Sequence, residues 1–85
     1  MILKRTEFMA RAKVDENTLE MWLSEQWLIP IHEPEDEGFT EADLARARLI
    51  QELARDFGVN QPGIGIALHL LDQLHSARAS LKLRR

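Results

Sequence analysis

The chain has 85 residues, and its 11 basic and 14 acidic side chains give a formal net charge of −3 at pH 7. That length accommodates one domain with one small core. A core of this size gives marginal stability, and association with a second copy is a common way to bury more apolar surface. The absence of cysteine excludes disulfides, thiolate catalysis and cysteine-ligated metal sites. No apolar run approaches the about 18 residues of a membrane span, and the N-terminal segment lacks the apolar stretch of a signal peptide, so we expect a soluble cytoplasmic protein.

The charges are distributed unevenly along the chain. Residues 1–13 carry four basic side chains and one acidic one, whereas residues 14–43 carry ten acids and no Lys or Arg. Residues 44–85 carry seven bases and three acids. An acidic middle between basic ends predicts a field that repels nucleic acid from one face of the protein.

The first two predicted helices form a helix-turn-helix. The first begins at Thr6, a good N-cap residue, and ends before Val14. A short polar link leads into the second helix, which spans residues 16–26 and is capped by Asp15 or Asn17. The residues expected to face the core are Phe8, Met9 and Ala12 in the first helix and Leu19, Trp22 and Leu23 in the second.

An acidic β-hairpin and a third helix follow. Residues 31–39 resemble two short strands joined by an acidic turn from Pro34 to Gly38. Thr40 and Asp43 then form a near capping box that opens a helix through about Phe57, and Gly58 is a natural stop. The apolar stripe predicted on this helix consists of Leu49, Ile50, Leu53, Ala54 and Phe57.

The longest predicted helix covers residues 62–84, with Asn60 as its cap and Pro62 in its first turn. One apolar face consists of Ile64, Ala67, Leu71, Leu74 and Leu81, and a second consists of Ile66, Leu70 and Ala77. Either both belong to one wide core face, or one covers the domain and the other meets a second subunit. We expect the second arrangement, a homodimer with Ile66, Leu70, Leu74, Ala77 and Leu81 in its interface.

The polar motifs do not fit a catalytic, cofactor or metal site. Gly63-Ile64-Gly65 lacks the third glycine of a dinucleotide fingerprint, because that position holds Leu68, and no strand precedes it. The histidines His32, His69 and His75 give no metal-binding pair at four-residue spacing. The acidic turn lacks the apolar pocket that tunes a catalytic carboxylate. We therefore expect no enzymatic activity, no cofactor and no bound metal.

Three segments resemble the MerR-type winged helix-turn-helix superfamily. Residues 14–19 are similar to its turn and the start of its recognition helix, residues 27–30 to its exit, and residues 39–44 to its entry into the third helix. The expected fold is mainly α, with a small β-hairpin wing and a long C-terminal helix. We expect one domain over residues 1–85, divided into a core over residues 1–57 and a dimerisation helix over residues 60–84.

One branch, the chaperone-modulator (CbpM) family, resembles nearly the whole chain more closely. The resemblance is most specific in Pro62-Gly63-Ile64, continuing through Ala67-Leu68 to Leu70-Leu71-Asp72, after a helix that ends in Leu53-Ala54. It implies a non-enzymatic protein that binds the J-domain of a DnaJ- or CbpA-like co-chaperone and restrains its activity. The alternative is a DNA-binding transcriptional regulator of the MerR or excisionase kind.

Departures from the DNA-binding pattern favour the chaperone modulator. Glu20 stands where MerR-type regulators usually carry Arg, Met21 and Trp22 follow where they carry aromatic residues, and Gln26 replaces the glycine that ends the recognition helix. DNA readers gain affinity from Lys and Arg contacts to phosphates, which the acidic block lacks. The same block suits a basic partner, with Trp27 or Trp22 as an apolar anchor unless both belong to the core. The predicted partner-binding residues are Glu16, Glu20, Trp27, Glu33, Glu35, Asp36 and Glu37.

Overall fold

The computed structural model describes residues 2–32 and 37–83, which form four helices and one two-stranded antiparallel ribbon. This confirms the expected mainly α architecture of a helix-turn-helix, a small hairpin and a long last helix. Of the turn predicted from Pro34 to Gly38, residues 34–36 lie outside the described residues, whereas Glu37 and Gly38 belong to the second strand rather than to the turn. The elements in chain order are α1 Arg5–Ala12, α2 Glu16–Ser24, β1 Ile31–His32, β2 Glu37–Gly38, α3 Glu41–Arg55 and α4 Gln61–Leu83.

Three predicted side-chain caps are confirmed, one at the start of each of α2, α3 and α4. Each cap places an oxygen acceptor opposite a backbone N–H that has no partner within the helix. Asp15 rather than Asn17 caps α2. The Thr18 N–H donates to Asp15 Oδ1 (2.8 Å), the Asp43 N–H to Thr40 Oγ1 (3.2 Å) and the Gly63 N–H to Asn60 Oδ1 (2.9 Å).

The first helix begins earlier than predicted, with Lys4 rather than Thr6 as its N-cap residue. The reason is tertiary, because Leu3 pairs with Phe39 through two backbone hydrogen bonds of 2.7 and 2.9 Å. The chain therefore leaves this bridge at Leu3 and enters α1 at once. The helix ends at Ala12 because Lys13 adopts a left-handed conformation, with φ of 58°.

The second helix ends at Ser24, two residues before the predicted end at Gln26. Gln26 has a left-handed φ of 60°, and its N–H donates to the Leu23 carbonyl (3.1 Å). The Trp27 N–H donates to the Trp22 carbonyl (2.9 Å). These two bonds form a Schellman motif, which normally has glycine in the left-handed position. The tight turn is therefore kept with Gln in place of glycine.

The core lies between the helix-turn-helix, the base of the hairpin, α3 and the first turns of α4. Phe8 and Phe39 stack at its centre with ring centroids 4.4 Å apart. Such apolar burial is the main stabilising contribution in a domain of this size. The buried hydrophobic residues are Leu3, Phe8, Leu19, Trp22, Trp27, Leu28, Phe39, Ala47, Ile50, Ile64 and Leu68.

The predicted apolar faces of the last two helices need correction. Phe57 is 74% exposed rather than part of the core stripe, because α3 ends at Arg55 and Phe57 lies beyond its last turn. In α4, Ile64 is buried as predicted, and Leu68, which was in neither predicted face, is buried with it. Residues 72–81 are all exposed, so α4 extends beyond the domain.

Candidate partner-binding surface

Arg5 gathers three of the predicted partner-binding acids into one cluster. Its Nη1 donates to Glu37 Oε1 (2.6 Å), and its Nη2 donates to Glu16 Oε1 (2.5 Å). The same Nη2 also donates to Glu20. We call Arg5, Glu16, Glu20 and Glu37 the Arg5 cluster; it joins α1, α2 and β2. Three carboxylates and one guanidinium leave this cluster with a net charge of −2.

The cluster is half open to solvent. The side chains of Arg5 and Glu37 are about one-quarter exposed, whereas those of Glu16 and Glu20 are about 60% exposed. Hydrogen bonds to Glu16 and Glu37 raise the pKa of Arg5 above its already high ordinary value, so the guanidinium stays charged. Because Arg5 already donates to three carboxylates, the acids outweigh its charge and it offers little attraction to a phosphate.

The other predicted partner-binding residues have different outcomes. Trp27 is 5% exposed and Trp22 is 3% exposed, so both tryptophans belong to the core and Trp27 is not an apolar anchor. Trp27 is buried because the Schellman turn after α2 directs it against α3 and α4. The remaining three acids, Glu33, Glu35 and Asp36, lie outside the described residues.

A second arginine fixes the exit of α2 to the last helix. Arg46 on α3 donates from Nε to the Trp27 carbonyl and forms a two-point ion pair with Asp72 on α4. Sequence reasoning missed both Arg46 and Arg5, because their partners lie 11 to 32 residues away in the chain. No helical or strand period relates residues at those separations.

The five predicted dimer residues form an open stripe along α4. They lie four, four, three and four positions apart, which keeps them on one side of a helix. The large apolar residues of the stripe are 46% to 66% exposed. The α4 stripe consists of Ile66, Leu70, Leu74, Ala77 and Leu81.

Basic residues lie together at a different part of the surface. Arg11, Lys13 and Arg48 line a cleft of about 240 Å³ between the end of α1 and α3. In the described ranges, no three His, Asp or Glu side chains are placed to hold a metal ion. None of the helices described is long and apolar enough to cross a membrane.

A family model described as "MerR HTH family regulatory protein" matches residues 3–84. The match covers the helix-turn-helix, the hairpin after it and the long last helix. The chain belongs to the MerR helix-turn-helix family. In this MerR-family protein, α1 and α2 form the helix-turn-helix, β1 and β2 form the wing, and α2 is the helix that the sequence resemblance matched to the recognition helix. A comparison with curated proteins finds no significant match.

Proposed function

We propose that this MerR-family protein is a non-enzymatic chaperone modulator of the cytoplasm, which binds the J-domain of a DnaJ- or CbpA-like co-chaperone and restrains its activity. The observation that supports this proposal is the Arg5 cluster, which brings two acids of α2 together with one acid of the wing. The surface that a MerR-type DNA reader turns toward DNA here carries this cluster, with a net charge of −2 and an arginine that donates to three carboxylates.

Electrostatics favours a basic protein partner over DNA. Each carboxylate near a phosphate costs binding free energy, and α2 has no Lys or Arg that would offset it. A basic helix of a J-domain meets the same surface with complementary charge, which accelerates encounter and fixes orientation. Restraint follows if the bound protein covers the face with which the J-domain contacts its Hsp70-type chaperone.

We also propose that the protein acts as a homodimer through the α4 stripe. Residues 72–81 are all exposed, so the rest of the domain does not cover this part of α4. The stripe nevertheless carries three exposed leucines here and in the turn before it, Leu70, Leu74 and Leu81. A second copy covers such a stripe in the manner of a coiled coil. The Arg5 cluster and the α4 stripe share no residue, so the proposed J-domain contact and the proposed dimer contact use different side chains.

The second candidate function is DNA-binding regulation, and the basic cleft of Arg11, Lys13 and Arg48 favours it. Three cations around one cleft suit a phosphate of the DNA backbone. They lie outside the recognition helix and wing, however, so they supply non-specific attraction without base readout.

Surface plasmon resonance distinguishes the two functions. We expect the purified chain to bind an immobilised J-domain with an association rate that falls as salt is raised from 0.1 to 1 M, because the screening length drops from about 10 to about 3 Å. Added chain should also lower J-domain-stimulated ATP hydrolysis by the Hsp70-type chaperone. Tighter binding to duplex DNA than to any J-domain at physiological salt would contradict the proposal.

A charge-matched pair of variants locates the contact. Glu33→Ser/Glu35→Ser removes two acids close to Glu37 in the sequence, and Glu52→Ser/Asp56→Ser removes two acids at the C-terminal end of α3. We expect only the first double variant to slow association with the J-domain. Glu37 is left unchanged because it binds Arg5, and its loss would also perturb the fold.

A further inference from the structure

The chain between α2 and the wing alternates between the core and the surface. Leu28 is 2% exposed and Pro30 is buried, whereas Ile29 is 75% exposed and Ile31 is 44% exposed. Proline at position 30 favours extended backbone before it, and alternate side chains of an extended segment lie on the same side. The side chains of Ile29 and Ile31 therefore project from the same face of the protein, at the base of the wing.

Ile2 extends this apolar surface from the N-terminal end of the chain. Gly38 pairs with Ile31 across the wing, and a Cβ placed on Gly38 would lie 2.6 Å from Ile2 Cγ2 and 3.9 Å from Ile31 Cβ. Ile2 thus lies over the hydrogen atoms of Gly38, beside Ile31, and is itself 54% exposed. We call Ile2, Ile29 and Ile31 the isoleucine patch.

The isoleucine patch adjoins both a groove and the Arg5 cluster. A groove of about 310 Å³ runs beside it, lined by Leu23, Gln26, Leu28, Ile29, Pro30 and Glu37. Glu37 lines this groove and also accepts a hydrogen bond from Arg5, so the apolar and the acidic surfaces share one residue. An apolar centre beside acidic groups is the arrangement of an interface with a basic, amphipathic partner.

We propose that the isoleucine patch is the apolar anchor for the J-domain. It receives apolar side chains of a basic helix whose Lys and Arg side chains face the Arg5 cluster. The inference rests on the proposed function and supplies the anchor that the buried Trp27 does not. Dispersion and desolvation at the isoleucines determine how long the complex lasts, while the surrounding acids determine how fast it forms.

Charge favours a basic partner over a second copy of the chain at this surface. A symmetric dimer through the isoleucine patch would bring the same surface of both protomers together. Two Arg5 clusters, each with a net charge of −2, would then face each other beside the patch and repel. A basic partner meets no such repulsion.

Binding kinetics with two variants and a matched control test the inference. Ile29→Thr/Ile31→Thr shortens both patch side chains while keeping the β-branched shape that suits the wing, and Ile29→Ser changes only the residue outside the strand. Phe57→Ser removes an equally exposed apolar side chain beyond α3. Against an immobilised J-domain, we expect the double variant to dissociate at least about tenfold faster, Ile29→Ser to dissociate measurably faster, and Phe57→Ser to match the wild type.

The possible outcomes separate the two proposals. Failure of the wild-type chain to bind any J-domain overturns the proposed function together with the anchor. Binding by the wild type with unchanged rates for both patch variants overturns the anchor alone. A lower mass of the double variant than of the wild type in sedimentation equilibrium shows that a second copy occupies the patch, and also overturns the anchor. Faster dissociation with an unchanged Phe57→Ser control supports it.

Discussion

Arg46 and Asp72 form a two-point ion pair between α3 and α4, with Nη1–Oδ1 of 2.7 Å and Nη2–Oδ2 of 3.0 Å. The same guanidinium donates to the Trp27 carbonyl. Because residues 72–81 are exposed, this ion pair is the last side-chain link between the domain and the projecting part of α4 in the described chain. Together with the buried Ile64 and Leu68, this ion pair holds α4 against the domain.

Removing this ion pair should cost little stability at neutral pH and none in acid. The hydrogen bonds from Arg46 hold the pKa of Asp72 below its ordinary value. A carboxyl whose pKa is lower in the folded state stabilises the protein above its unfolded pKa, about 4, and loses that contribution as pH falls through the folded pKa. We expect Asp72→Asn to lower the free energy of unfolding by about 0.5–1 kcal/mol at pH 7, since Asp72 is about half exposed and solvent screens its attraction to Arg46.

Chemical denaturation of the wild type and Asp72→Asn between pH 7 and pH 2 measures this difference. Glu52→Gln, which neutralises an exposed acid on α3, is the control and should not change the pH dependence of the free energy of unfolding. A difference between wild type and Asp72→Asn that persists unchanged at the lowest pH would contradict the role of the ion pair.

Removing the arginine of the Arg5 cluster should make the stability of the protein depend on salt. Arg5→Gln leaves three carboxylates close together without a cation, so we expect a loss of about 1–2 kcal/mol in 0.1 M NaCl. Screening over about 3 Å in 1 M NaCl should recover part of this loss. Urea unfolding at both salt concentrations is the measurement, and Arg11→Gln, an exposed arginine of the same helix, is the control. A loss that is the same in low and high salt would show that repulsion is not its cause.

Glycine at two left-handed positions should stabilise the fold. Gln26 and Lys13 have φ of 60° and 58°, a conformation that costs residues with a side chain about 1–2 kcal/mol. After the larger entropy of glycine in the unfolded chain is subtracted, Gln26→Gly and Lys13→Gly should each raise the free energy of unfolding by about 0.5–1 kcal/mol. Ala45→Gly in the middle of α3 should instead lower it by about 1 kcal/mol. Thermal unfolding of the three variants measures these changes. A change in stability of the same sign for all three would contradict the prediction.

A charge in the α4 stripe should dissociate the proposed homodimer. Leu74→Asp removes one apolar side chain from each protomer, which at about 1.5 kcal/mol per leucine raises the dissociation constant at least about a hundredfold. Ala79→Asp puts the same charge on the opposite side of α4 and should leave the mass unchanged. Sedimentation equilibrium at micromolar concentration tests both. A wild-type chain with a monomer mass and a normal circular dichroism spectrum would contradict the dimer itself.

The amino-acid sequence by itself determined the order of the elements and the caps at which α2, α3 and α4 begin. Asp15, Thr40 and Asn60 cap the helices for which they were predicted, and Gly58 has the left-handed φ of 64° expected after α3. These features depend on backbone groups within one helical turn, so nearby residues are sufficient to predict them. The acidic character of the recognition helix was likewise evident from charge order alone.

Only the tertiary structure decided which side chains reach the surface and which charges are paired. The burial of Trp27 follows from the turn at Gln26, and the exposure of Ile29 follows from its position between two buried residues. The bonds from Arg5 to Glu16 and Glu37 span 11 and 32 residues. Contacts at such separations depend on how finished elements pack against one another, and no local period carries that information. The sequence therefore predicted an acidic surface, while the folded domain determined that the isoleucine patch lies beside it.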